Sequence, residues 1–169
     1  MRKHQDMVRQ FHKMAGYPAA ERIVLRIAEA KVILPSQGEF SLQAYLRIRN
    51  LWCEEEVREI EEAIGDNDVP AIADGLADLI YFAFGTAVTL GIDLQEVFEE
   101  VQKANMKKFI PCFCKGSNPN CPHCRGLGSF GVFRTSDGKL MKPAGWIPPD
   151  IMAVILAQSN RGTKLGQET

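Results

Sequence analysis

Six glutamates, Glu54, Glu55, Glu56, Glu59, Glu61 and Glu62, crowd one short stretch, and Asp74 and Asp78 follow in the next apolar segment. On a helix, the i,i+3 and i,i+4 relations place Glu55, Glu56 and Glu59 on adjoining strips of one face. Like charges so placed cost a few tenths of a kcal/mol per pair unless water or a cation offsets them. A solvated acidic face would account for the glutamates alone. Asp74, Asp78 and Tyr81, however, fall at i, i+4 and i+7 and draw a polar line along an otherwise apolar helix. Buried carboxylates need a partner. Two aspartates facing three glutamates most economically share a hard cation, Mg²⁺ or Mn²⁺. Asn105 and Lys108 continue a line begun by Val97 and Val101 toward the interior, with an exposed helix end as the plainer alternative. Oxygen-only ligation beside a lysine and an asparagine suits phosphate chemistry, in which a cationic side chain takes up developing charge.

A second constellation is sulfur-based. Cys112-x-Cys114 and Cys121-x-x-Cys124 place four of the five cysteines within thirteen residues, while Cys53 stands alone as a packed thiol. Four thiolates so spaced, flanked by Gly116-Ser-Asn-Pro and Arg125-Gly-Leu-Gly, are enough for a closed tetrahedral Zn²⁺ site of structural type. Two disulfides or a redox-active Cys121-Pro-His-Cys124 are the alternatives. The run Cys-Pro-His-Cys-Arg-Gly-Leu-Gly also resembles the C-x-x-C-x-G-x-G repeats of DnaJ-type zinc modules.

The elements that must carry these residues are helices. Met7, Val8, Phe11 and Met14 share a face before Gly16, and residues 19–33 predict a second helix through Ile23, Ile27 and Ala30. Ser41 is placed to cap a long helix from Leu42 to Ile64, which Gly65 ends. Asp68 is placed to cap the next, with Pro70 in its first turn and Gly91 closing it. Asp93-x-x-Glu96 opens a further helix running to about Lys108. The fourth of these helices is apolar almost all round from Leu79, which predicts the middle of a bundle or a subunit interface. Beyond residue 110 the texture changes to Cys, Gly and Pro, then to a hairpin around Asp137-Gly138. The fold expected is all-α: an antiparallel helical bundle over 1–110, a four-cysteine zinc-binding insertion over 111–130, and a hairpin and tail over 131–169 that packs on the bundle.

Lys plus Arg number 20 against 21 Asp plus Glu, which leaves no global basic field to draw nucleic acid. The N-terminus lacks the apolar run and cleavage site of a secretory signal, and the Leu79–Ile92 run falls short of the roughly 20 residues that span a bilayer. With clustered cysteines, this predicts a cytoplasmic protein in a reducing compartment. Trp52 reads as core. Trp146 reads as an anchor for the tail or as a cover for a nucleotide.

Taken together, E-E-x-x-E at Glu55–Glu59, Asp78 in Ala77-Asp-Leu-Ile-Tyr, and A-N-x-x-K ending at Lys108 resemble the all-α NTP pyrophosphatase superfamily. MazG proteins, phosphoribosyl-ATP pyrophosphohydrolases and dUTPase-related enzymes make up that group. Leu90-Gly-Ile-Asp and the tail Asp137-Gly-Lys-Leu-Met-Lys-Pro-Ala-Gly-Trp resemble its MazG-like, dUTPase-related branch. The resemblance implies a MazG-like four-helix core, Mg²⁺ ligation by Glu55, Glu56, Glu59 and Asp78, and phosphate contacts by Asn105, Lys108 and Lys142, with Tyr81 beside them. One departure stands out, since the family's Glu three residues before the helix-four Asp is Gly75 here. Asp74 is its nearest substitute, rotated by about 100° on the helix.

The expected activity is Mg²⁺-dependent hydrolysis of a nucleoside triphosphate to the monophosphate and pyrophosphate, by a homodimer or homotetramer, in control of the nucleotide pool. Phosphoribosyl-ATP hydrolysis is the alternative among enzymes. A zinc-containing module that binds RNA or protein is the alternative of another class.

Overall fold

A computed structural model describes residues 1–35 and 37–164, with side chains to residue 161. The described chain is mostly helical and forms two compact units, Met1–Gln95 with the chain from Ile155, and Glu96–Val154.

In the first unit, α1 (Arg2–Ala15) ends at Gly16, whose left-handed backbone turns its N–H onto the carbonyls of His12 and Lys13. The helix predicted over 19–33 does not form. Ala20 N–H donates to Val88 O and Val24 N–H to Leu90 O, each at 3.0 Å, which holds the segment along the end of α3 instead of letting it coil. A short 3₁₀ turn (Ile27–Glu29) then leads into β1 (Lys31–Leu34), antiparallel to β2 (Gly38–Ser41), with Val32 opposite Phe40. Apolar spacing suggested a helix, but β-branched Val32-Ile33 ahead of Pro35 and Gly38 is hairpin chemistry.

Ser41 Oγ accepts from Ala44 N–H at 3.1 Å and starts α2 (Leu42–Gly65). Asp68 Oδ1 accepts from Ala71 N–H at 3.0 Å and starts α3 (Val69–Leu90), which Gly91 ends. These caps match the sequence expectation, and the three-residue link makes α2 and α3 a helical hairpin that is the main packing contact of the unit. Its core gathers Leu34, Leu42 and Tyr45, with Trp52 packed against them. Val8 of α1 and Phe84 and Val88 of α3 are buried as well.

Over its whole length α3 is long and apolar enough to cross a membrane by length and composition, more than the Leu79–Ile92 run alone suggested. It carries Asp74 and Asp78, and α1 and α2 both pack on it.

The second unit begins in α4 (Leu94–Met106), where Asp93 Oδ1 accepts from Gln95 N–H as a cap. β3 (Ile110–Pro111) pairs antiparallel with β4 (Ser129–Phe130) and closes the cysteine loops at their base. The hairpin expected at Asp137-Gly138 is reduced to one bridge, Phe133 opposite Leu140, closed by an Arg134–Asp137 ion pair. The tail was not expected to be helical, yet α5 (Ile151–Lys164) is a helix. Asp150 Oδ1 caps it by accepting from Ala153 N–H at 2.9 Å, after Pro148-Pro149. In the first unit, Gln158 of α5 pairs through its amide with both the N–H and the C=O of Asp93.

Candidate active site

The helical hairpin α2–α3 sets the acidic residues against each other. Glu56 is half-buried, while Glu55, Glu59, Asp74 and Asp78 are exposed. Burial pushes the Glu56 carboxyl up from its ordinary value of 4.5, and the charges of Glu59, Asp78, Glu55 and Asp74 add to the rise in that order. Glu56 is thus within electrostatic reach of four other carboxylates on the two helices. Among the described residues none of the five carboxylates takes part in an ion pair or a side-chain hydrogen bond. The donor chemistry fits a hard divalent cation. The carboxylate oxygens do not close on one another as tightly as the cysteine sulfurs described below. The long Glu55 and Glu59 side chains, free at the surface, would have to swing inward to ligate.

Gly75 explains its own departure from the family pattern. A Cβ there would sit 2.7 Å from Ile60 Cγ1, so α2 and α3 approach too closely at that point for a glutamate. Asp74 lies within electrostatic reach of Glu56 but is the weakest of the four contributors. It stands at the margin of the set.

Behind the acids lies a polar node that the sequence reading missed. Arg49, only 2% exposed, donates Nε to Thr86 Oγ1 at 3.0 Å, Nη1 to Tyr45 Oη at 3.2 Å and Nη2 to Phe82 O at 3.0 Å. Its guanidinium also lies 5.4 Å from the Trp52 ring centroid and 5.8 Å from that of Tyr45. All these partners are neutral, so the charge is held by hydrogen bonds and aromatic faces, with no ion pair to an acid among the described residues. His12 is buried next to it, with Nδ1 2.8 Å from Pro18 O. Burial lowers the His12 pKa; the Pro18 hydrogen bond opposes this, and the charges of Arg49 and Arg9 reinforce it. An arginine four residues after a tyrosine was the available signal for the node.

Trp52 is core, as expected, edging Tyr45 and lying 5.6 Å from Phe82. Cys53 is half-buried, and burial raises its pKa. Tyr81 meets Phe11 edge to face at 5.7 Å and borders an apolar groove of about 410 Å³ between α1 and α3, beside His4, Met7 and Ile80. Burial raises the Tyr81 pKa.

In the second unit, Trp146 anchors the tail by donating Nε1 to Ala104 O at 2.7 Å. Lys142 Nζ lies 4.4 Å from the Trp146 ring centroid and Lys108 Nζ 5.7 Å from it, so two of the predicted phosphate ligands meet on one indole. Asn105 sits half-buried on α4, its backbone carbonyl accepting from Lys108 N–H at 3.0 Å.

Cys112, Cys121 and Cys124 are buried, with Cys114 and Phe130 packed on them. The sulfurs are 3.7 Å apart for Cys112–Cys121, 3.7 Å for Cys112–Cys114 and 3.2 Å for Cys114–Cys124. Among the described residues, this is the set of potential ligands whose atoms all fall within 4.8 Å of one another, and it could hold a metal ion. The amides of Cys124 and His123 lower the Cys121 pKa to about 6. At Cys112 the Cys114 amide works the same way, yet burial and the neighbouring thiols push it up to about 12.

The acidic pair of helices is where comparison with known proteins bears. Residues 36–105 match the phosphoribosyl-ATP pyrophosphohydrolase family. The match spans α2, α3 and most of α4, and so takes in Glu55, Glu56, Glu59, Asp78 and Asn105. It agrees with the superfamily resemblance carried by those residues. A solved protein of Exiguobacterium sp. 255-15, provisionally described as an NTP pyrophosphohydrolase, is also similar, at 23% identity. The likeness covers 96% of this chain and 97% of that one, with a TM-score of 0.41. No curated protein matches. Over residues 36–105 the chain is thus similar to a nucleotide pyrophosphohydrolase family.

Proposed function

We propose that this chain hydrolyses the α–β phosphoanhydride of a nucleoside triphosphate, releasing the monophosphate and pyrophosphate. The observation that carries the reading is the gathering of four carboxylates within electrostatic reach of Glu56, with no cation among the described residues paired to any of the five. Glu55, Glu56, Glu59 and Asp78 would hold Mg²⁺ or Mn²⁺, with Asp74 at the margin. A bound divalent ion supplies neutralisation of the phosphate oxygens and acidifies water. Glu56, whose carboxyl is held above its ordinary value, is the group suited to take the proton of the attacking water. Tyr81 would contact the substrate beside these carboxylates; in the second unit Lys108 and Lys142, which meet on the Trp146 ring, and Asn105 are the residues suited to phosphate oxygens.

A second copy of the chain would cover the apolar surface that α2 and α3 leave open, where Val57, Ile64, Val69, Leu76 and Ile80 are each about half exposed or more. The family match favours one further reading, that the nucleotide is phosphoribosyl-ATP.

The test is a panel of ribo- and deoxyribonucleoside triphosphates and phosphoribosyl-ATP, incubated with the full chain with and without Mg²⁺. Stoichiometric monophosphate and pyrophosphate from one member is expected. Release of orthophosphate alone, or no turnover from any member by folded protein, would overturn the proposal.

A further inference from the structure

The second unit has little apolar interior of its own. Three buried cysteines are its core cluster, and only Cys114 and Phe130 pack against them. Phe113 and Leu127, the large apolar side chains in the same loops, point into solvent at 105% and 82% exposure. Apolar burial therefore does not hold these loops together, and all four thiols are free.

The sulfur spacing indicates what does. Four thiolates around Zn²⁺ at about 2.3 Å make a tetrahedron whose edges are about 3.75 Å. A disulfide would bring two sulfurs to about 2.05 Å. Two of the observed separations are 3.7 Å, and the 3.2 Å pair needs to open only slightly.

The backbone repeats one turn twice around this point. After Cys114 come Lys115 and Gly116 at φ 48° and 87°, and after Cys124 come Arg125 and Gly126 at φ 48° and 84°. Two consecutive left-handed residues are costly for any side chain at the first position, so the repetition has a structural cause. It wraps each loop around the sulfurs and turns amides onto them: those of Cys124 and His123 onto Cys121, and those of Gly128 and Gly126 onto Cys124. The strained residue is cationic in both turns, Lys115 and Arg125, which suits a site carrying four negative sulfurs. His123 is not a fifth candidate, because its ring lies against Phe130, 5.9 Å between centroids.

We infer that Cys112, Cys114, Cys121 and Cys124 hold one Zn²⁺ in a closed tetrahedral site, and that this ion is the folding core of residues 110–130. Four protein ligands leave no open position, so the ion organises the chain and takes no part in hydrolysis. Its influence runs onward within the unit. Cys112 N–H donates to Gly128 O at 2.8 Å, β4 follows directly, Met141 N–H donates to Val132 O at 2.7 Å, and Lys142 and Trp146 come next. The zinc thus secures the segment that carries both. The inference is independent of the role of the acidic set.

The test is made on the full chain. Purified under reducing conditions, it should contain one zinc per chain, and Co²⁺ substitution should give intense thiolate-to-cobalt charge transfer with tetrahedral ligand-field bands. Chelation should expose four additional thiols to alkylation and collapse amide-exchange protection at residues 110–130, while the α2–α3 hairpin keeps its protection. Cys124→Ser should lose the metal and Cys53→Ser should keep it. If Cys124→Ser fails to fold, the native cobalt spectrum still decides. Metal-free folded protein, an octahedral cobalt spectrum, or disulfides among the four cysteines in the reduced preparation would overturn it.

Discussion

A methyl group on Gly85 would overlap Nη2 of Arg49, so the guanidinium occupies the space a side chain on α3 would otherwise fill. The same methyl would come 2.8 Å from Nε2 of His12. Gly85 is the aperture through which a cation on α2 reaches the carbonyl of Phe82 on α3, with the histidine of α1 alongside.

Gly85→Ala is therefore expected to destabilise. In an open helix the change gains up to about 1 kcal/mol. Here neither neighbour has room to move, since Arg49 is tied by three hydrogen bonds and His12 by one. Overpacking of this kind costs about 1–3 kcal/mol. Urea denaturation should show a net loss, and a gain in stability would show that the node is loose.

The same node sets an acid limit. The folded state holds His12 below its ordinary 6.5, so between 6.5 and that lowered value the unfolded chain binds more protons. The stability contributed by neutral His12 is complete above pH 6.5 and is lost as pH falls through the window. His12→Asn should flatten the pH dependence of the denaturation midpoint in that window. An unchanged profile would place the acid transition elsewhere.

Glu56 behaves with the opposite sign. Its folded pKa is raised, so the metal-free protein loses stability as pH climbs from 4.5 through the raised value and the carboxylates charge against one another. Mg²⁺ requires the ionised forms. The rise in melting temperature produced by Mg²⁺ should therefore grow across the same interval, and Glu56→Gln should remove that growth.

Much of this was legible in the sequence because caps and periodicity are local. Ser41, Asp68 and Gly91 bound the two helices that carry the acids, and the i,i+3 and i,i+4 spacing put Glu55, Glu56 and Glu59 together. What escaped depended on distant partners. Residues 19–33 have helical spacing, yet backbone bonds to Val88 and Leu90 hold part of them extended. Arg49 was not singled out, because Thr86 and Phe82 converge on it only once α2 and α3 have packed. The close contact of Gly75 with Ile60 likewise exists only between two packed helices. The helix after Asp150 was a missed local signal, an Asp cap following two prolines.

Trp146→Phe separates anchoring from ring contact. It deletes the indole donor to Ala104 O, worth about 1 kcal/mol, while keeping an aromatic face for Lys142. A several-fold higher KM with little change in kcat is expected in steady-state kinetics. An equal fall in both kcat and kcat/KM would instead tie Trp146 to the transition state.

The most direct test of the central claim is Mg²⁺-dependent pyrophosphate release by the native chain against Glu59→Ala. Glu59 is exposed and is the strongest charge acting on Glu56, so removing it should leave the fold intact or slightly firmer without metal. Turnover is expected to fall by about 10²-fold or more, with partial recovery at high Mg²⁺. Undiminished turnover in Glu59→Ala would contradict the account and leave the five carboxylates as a solvated acidic face.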